Sequence, residues 1–185
     1  MKQRKYNLII AVILLVLLLA IFFVLISMPA AKDDNDIPDS QVLENIIDMK
    51  DKKISHITVK NPLGSYEIGL KTKDGEDEYL LLGEDDNKTS KTATQTLVES
   101  IINLKPVQIV QEEAKNLSLY GVDKGQATLK VDFDNNDTIV LKLGNDAPLS
   151  KGAYLVVNGE VKVYLINMTD KEIFLNEKDF YKNQE

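Results

Sequence analysis

The sequence predicts an α+β fold: an N-terminal transmembrane helix followed by a mainly antiparallel sheet domain built of hairpins with two or three short helices. Three observations predict it. Leu8 to Ile26 is an uninterrupted apolar run of 19 residues, and no later run approaches it in length. Beyond residue 50, alternation of apolar and polar residues at period two recurs in short segments bounded by turn residues. Segments with helical period are too few to supply the crossovers of a parallel βαβ array.

At about 1.5 Å rise per residue the apolar run covers nearly the whole hydrocarbon core of roughly 30 Å. Lys2, Arg4 and Lys5 precede it and Asp33, Asp34 and Asp36 follow it. The positive-inside rule therefore puts the N-terminus in the cytoplasm and the remainder outside the cell membrane. The expected organisation is a basic cytoplasmic tail at residues 1–7, a single-pass anchor at 8–27, an acidic linker at 28–39 and an extracytoplasmic domain at 40–185. Leu8, Leu15, Leu19, Phe23 and Ile26 are the expected lipid-contacting anchor residues. A cleaved signal peptide is the competing reading; it calls for an apolar region of about 7–15 residues and a small-x-small site, which "SMPAAK" spaces poorly.

Val42, Leu43, Ile46 and Ile47 recur at helical spacing behind Asp39 or Ser40, which predicts a short amphipathic helix. "ISHITVK" and "SYEIGLKT" alternate around Asn61 to Gly64, which predicts a hairpin, and "EYLLLG" after Asp74-Gly75 predicts a third strand. Ala93, Leu97, Val98, Ile101 and Ile102 then switch to helical period, with Thr89 or Ser90 as cap and Pro106 as stop. The threonine-rich first half of that helix has poor intrinsic propensity, so its stability is expected to come from packing on a sheet. "PVQIVQEEA" reads as a short strand. "ATLKVDF" and "TIVLKLG" form a hairpin across Asp134 to Asp137, and "AYLVV" and "VKVYLI" form another across Asn158-Gly159. The last segment predicts a short helix or turn that tucks Ile173, Phe174 and Phe180 under the sheet. Each half of the domain thus sets hairpins beside a helix, a loose internal likeness.

Composition narrows the chemistry. Lys and Arg number 22 against 29 Asp and Glu; without Lys2, Arg4 and Lys5 the balance is 19 against 29, or −10. So acidic a domain is a poor partner for nucleic acid and for anionic headgroups, both of which select basic patches. No cysteine is present, which removes disulfides, thiolate catalysis and cysteine-based zinc sites. His56 is the single histidine and tryptophan is absent.

No motif assigns a catalytic, cofactor-binding or metal-binding residue. Asp132, Asp134 and Asn136 open like a calcium loop, but the sixth and twelfth positions are Asp137 and Leu143 where the EF-hand needs Gly and Glu. Glu84-Asp85-Asp86 and Glu112-Glu113 are acid pairs without the aromatic sugar platforms of a glycosidase, and they read as solvated surface. His56 faces away from the apolar positions of its strand. Neither a phosphate-binding glycine loop nor a nucleophile-elbow motif occurs.

The stretch Leu119-Tyr120-Gly121-Val122-Asp123, followed by "ATLKVDF", "IVLKLGND" and "GAYLVVNGEVKVYLI", resembles the bacterial domain-of-unknown-function family 4340. The segments "ISHITVKN" and "TATQTLVESIINLKP" precede it in the order that family shows. The chain departs from the family in having Gly125 where a proline is frequent and Tyr79 where a tryptophan is frequent. The resemblance implies a membrane-tethered extracytoplasmic domain, similar in some members to auxiliary components of ABC-type transport systems; it implies interaction and names no reaction. Tyr120, Gly121 and Gly125 are expected to build a structural corner, with positive φ at the glycines, and Asn158 and Gly159 a turn.

The expected function is thus a single-pass, membrane-anchored, non-enzymatic binding or scaffolding domain. Its expected partners are membrane lipid through the N-terminal helix, and transporter subunits or other membrane proteins. The alternative is a tethered module for an envelope polymer or small ligand, with Tyr66, Tyr79 or Tyr154 exposed in a concave pocket.

Overall fold

The computed structural model describes residues 43–73 and 75–183. The expected anchor, with Leu8, Leu15, Leu19, Phe23 and Ile26, lies outside the described residues. Among the described residues no helix is long and apolar enough to cross a membrane.

Eight strands are described: β1 (Ile54–Asn61), β2 (Gly64–Lys73), β3 (Glu76–Leu81), β4 (Gln108–Gln111), β5 (Ala127–Phe133), β6 (Thr138–Asp146), β7 (Ala153–Val157) and β8 (Val163–Ile166). They form one antiparallel sheet in the order β3-β2-β1-β5-β6-β7-β8-β4. Two meanders, β1 to β3 and β5 to β8, meet where Ile57 pairs with Val131 and Val59 with Leu129. The α+β class and the hairpin pattern are those the sequence predicts.

Helix α1 (Lys91–Ile102) and helix α2 (Met168–Leu175) pack on one face of the sheet. On α1, Thr94, Leu97, Val98 and Ile101 are buried, one face at helical spacing. Burying Leu97, Val98 and Ile101 contributes roughly 1.5–3 kcal/mol each. The threonines cost only about half a kcal/mol each against alanine, so packing decides the helix. These side chains meet Ile57, Val59, Ile68, Leu129, Leu141 and Leu155 from the strands in one core, with Phe174 and Tyr181.

The structure corrects several expectations. Residues 43–53 form no helix; Ile47 enters the core while the Ile46 amide donates to the Leu104 carbonyl at 2.8 Å and the Asn45 side chain to the Ile102 carbonyl at 3.0 Å. Closing the unsatisfied carbonyls at the end of α1 wins over a helix too short to sustain itself. At the C-terminus Phe180 points out and Tyr181 is fully buried, its ring 5.0 Å from that of Tyr66. A 3-10 turn at Lys178–Tyr181 sets which of the two aromatics faces inward.

Asn158 and Gly159 do turn the chain, with φ of 52° and 74° and a bond from the Glu160 amide to the Val157 carbonyl. They do not close a two-residue hairpin, because β7 and β8 pair only from Ala153 to Leu155. Asn158 is tied to β6 instead: its amide donates to the Val140 carbonyl and its side chain accepts from the Val140 amide, both at 2.8 Å.

Candidate functional site

Three surfaces hold the residues the sequence singles out. The first is the connection from β4 to β5, which has to cross β8, β7 and β6. It crosses on the face away from the helices, where the Tyr120 ring meets Tyr154 edge-on at 5.1 Å. Asn116 starts it by accepting from the Ser118 amide at 3.0 Å, and 3-10 turns follow at Leu117–Tyr120 and Val122–Lys124. Gly121 joins them at φ 69°, the left-handed region that favours glycine.

Gly125 has φ −26°, so the expected positive φ is absent there; it is needed because a Cβ would lie 2.7 Å from the Leu143 carbonyl oxygen. Gly144 below is required for the same reason, since its Cβ would meet the Tyr120 carbonyl oxygen at 2.2 Å. Val122 is buried here, and Val156, Val163 and Leu165 of the same sheet face are buried too. The Tyr-Gly segment is thus a structural cover for half of this face.

The other half, on β2, β1 and β5, is open. His56 sits there, half-buried, with Nδ1 3.4 Å from Asp132 and Nε2 3.2 Å from Glu67. Asp132 also accepts from Lys130 at 2.7 Å and from the Thr138 hydroxyl. Partial burial pushes the Asp132 carboxyl up, but the hydrogen bonds from Lys130, Thr138 and His56 and the charge of Lys130 outweigh it and hold the group below the usual carboxylate range. Thr58, Lys60 and Thr128 extend this polar surface along β1 and β5. Asp132, Asp134 and Asn136 do not converge: Asp132 lies on the sheet face, and Asn136, at φ 68°, forms the hairpin turn. Among the described residues no group of three or more carboxylate or histidine side chains is placed to hold a metal.

The third surface is the outer edge of β3, where an open groove of about 420 Å³ runs between the strand and α1. It is lined by Asp77, Glu78, Lys91, Gln95 and Glu99, with Lys91 paired to Glu78. The Thr94 hydroxyl donates to the Tyr79 carbonyl at 2.7 Å, and the Leu81 amide donates to the Thr89 hydroxyl at 3.2 Å. These two buried threonines satisfy edge groups that another strand would otherwise pair with. The poor helix propensity of "TSKTATQT" was the signal for them.

The acid pairs are surface groups: Glu84 is held by Lys178 and Lys182, and Glu112 by Lys162. Tyr66 and Tyr79 are buried, with hydroxyls donating to the carbonyls of Asn176 and Ile54, so neither is a ligand platform. Burial, reinforced by the other ring of the pair, raises the Tyr66 hydroxyl far above the ordinary tyrosine range. Of the three tyrosines only Tyr154 is partly exposed, and Tyr120 lies against it.

A family model described as a domain of unknown function (DUF4340) matches residues 90–184. The chain belongs to this family. No curated protein and no solved structure matches it. The DUF4340 match begins at α1 and leaves β1 to β3 outside, so the part of the sheet it covers runs β5-β6-β7-β8-β4. Its β5 edge is filled by β1 of the same chain. The Tyr-Gly corner and the three glycines that seat it all fall inside the DUF4340 segment.

Proposed function

We propose that this protein is a single-pass membrane protein whose DUF4340 domain, outside the cell membrane, binds another protein and performs no covalent chemistry. The observation that carries this reading is the open polar face of β2, β1 and β5. It presents carboxylates and lysines around His56, and the cover over β6 to β8 stops short of it. Such a surface offers charge complementarity to a protein partner rather than a concave site for a small ligand. The family resemblance and the apolar run at Leu8 to Ile26 favour a membrane partner, and we place the protein beside a transport complex of the ABC type.

Chemical crosslinking of the full-length protein in its native membrane, read by mass spectrometry, tests the proposal. A form lacking residues 1–31 serves as control. Permease or ATPase peptides joined to Lys71, Lys130 or Lys142 are the expected result. Recovery of the protein alone, under conditions that preserve transporter complexes, overturns it.

A further inference from the structure

The strand directions define two ends of the sheet. One end carries the β1–β2 and β6–β7 connections, the start of β4 and the Tyr-Gly corner; the other carries the β2–β3, β5–β6 and β7–β8 connections. Exposed large apolar side chains are distributed unequally between them. Leu63, Val107, Leu119 and Leu149 are at least half exposed and all belong to the first end, while Val161 alone belongs to the second. Phe180 joins the first set, sharing with Leu63 and Leu175 an open hollow of about 500 Å³. Leu149 is 88% exposed although its φ is 62°, a conformation that costs a leucine about 1–2 kcal/mol.

Lysines accompany these tips. Lys60, Lys105, Lys124 and Lys151 each lie within five residues of one of them, are exposed, and have no ion-pair partner among the described residues. Of the acids in the loops of this end, Glu84, Asp85, Asp86, Asp146 and Asp179 are held by lysines, leaving Asp123 and Glu177. At the opposite end Asp137 and Glu112 are held by Lys52 and Lys162, and Glu76, Glu113, Asp134 and Glu160 are left against Lys73 and Lys115. Separate apolar tips interleaved with lysines suit a bilayer interface, where the side chain enters the headgroup layer and the ammonium meets phosphate. An obligate protein interface, such as one with a second copy, would instead bury one contiguous apolar core.

We infer that this end of the domain docks on the surface of the bilayer. The inference rests on the membrane-anchored reading above. The described chain begins at Leu43, and three residues on the Ile46 amide bonds the Leu104 carbonyl, close in sequence to Val107. Sixteen residues separate Ile26 from Leu43, a span of at most about 55 Å when fully extended. Docking is therefore an intramolecular event at high effective concentration. The net acidity of the domain argues against headgroup binding only on average; this end is a local exception to it.

The test uses the full chain in vesicles of phosphatidylcholine, with and without phosphatidylglycerol. Since the protein has no cysteine, single cysteines at L63C, L119C, L149C, N135C and F23C carry an environment-sensitive fluorophore, and lipid-borne spin labels act as quenchers. Docking predicts quenching at the first three positions and none at N135C. Reversing Lys60, Lys105, Lys124 and Lys151 to glutamate is expected to weaken it on the anionic vesicles by roughly fivefold per lysine. Quenching at F23C with none at the tips overturns docking and leaves the anchored reading standing. If F23C is not quenched the anchored reading fails, and tip quenching then decides docking by itself. Tips shielded from water but insensitive to the spin labels, in proportion to protein density, mean that a second copy covers them, and this overturns the bilayer assignment.

Discussion

Asp132 is a carboxylate whose partners come from three different strands: His56 from β1, Lys130 from its own strand and Thr138 from β6. Asp146 is held in the same direction by the Gln126 side chain first and Lys171 second, against opposing burial. Both groups ionise more readily folded than unfolded. The stability they contribute is therefore complete above the unfolded value near pH 4 and disappears as pH falls through the lower folded values. Asp132→Asn should cost about 1 kcal/mol at neutral pH, once solvent screening is allowed for. It should also flatten the acid limb of the stability curve. Denaturant titrations of the full chain in detergent between pH 2 and 7 measure both; an acid limb as steep as the parent's would remove Asp132 from this role. The Asp132-x-Asp134-x-Asn136 spacing is visible in the sequence, whereas the Asp132 partnership depends on register across two strand pairs that no local pattern shows.

Among the elements, helix α1 has the least obvious sequence and the clearest reason for it. Leu97, Val98 and Ile101 bind it to the sheet, and Thr94 in its first turn, with Thr89 just before the helix, covers the β3 edge. Thr94→Val keeps the shape and removes the donor to the Tyr79 carbonyl. The expected loss is about 1–3 kcal/mol, with increased self-association through the freed edge. Thermal unfolding and light scattering read the two effects separately, and an unchanged melting temperature would show that the hydroxyl contributes nothing. Strands and hairpins were legible wherever alternation ran six residues or more, as in "ISHITVK" and "ATLKVDF". The segment from Leu43 to Ile47 misled because its helical spacing is real but its polar groups are claimed by the end of α1. Phe180 and Tyr181 were indistinguishable by periodicity; the 3-10 turn decides between them. The cover role of the Tyr-Gly corner was partly readable from Gly121, but Gly144, whose missing side chain seats it, carries no signature of its own.

At the scale of the molecule, two meanders share one sheet through β1 and β5, and the helices bury both against a single core. Strands at the centre of such a sheet open only when the whole domain does. Amides of Ile57, Val59, Leu129 and Val131 should therefore exchange with solvent at the rate of global unfolding, and those of β4, four residues long at the far edge, through smaller openings. Hydrogen exchange under native conditions measures this directly. Exchange of β1 as fast as that of β4 would mean that the first meander is an independent appendage and not part of the domain.

Ile57 and Val131, partners at the centre of the sheet, stand 74 residues apart in the chain. A ribosome adds residues at about 5–20 per second, so β1 exists for roughly 4–15 s before its partner is made. Throughout that interval a strand rich in isoleucine and valine presents one unpaired side, and β4 is made before the β8 strand it must join. The order of synthesis thus leaves the nascent first meander in need of temporary shelter, and chaperone demand is a property written into the sheet order itself.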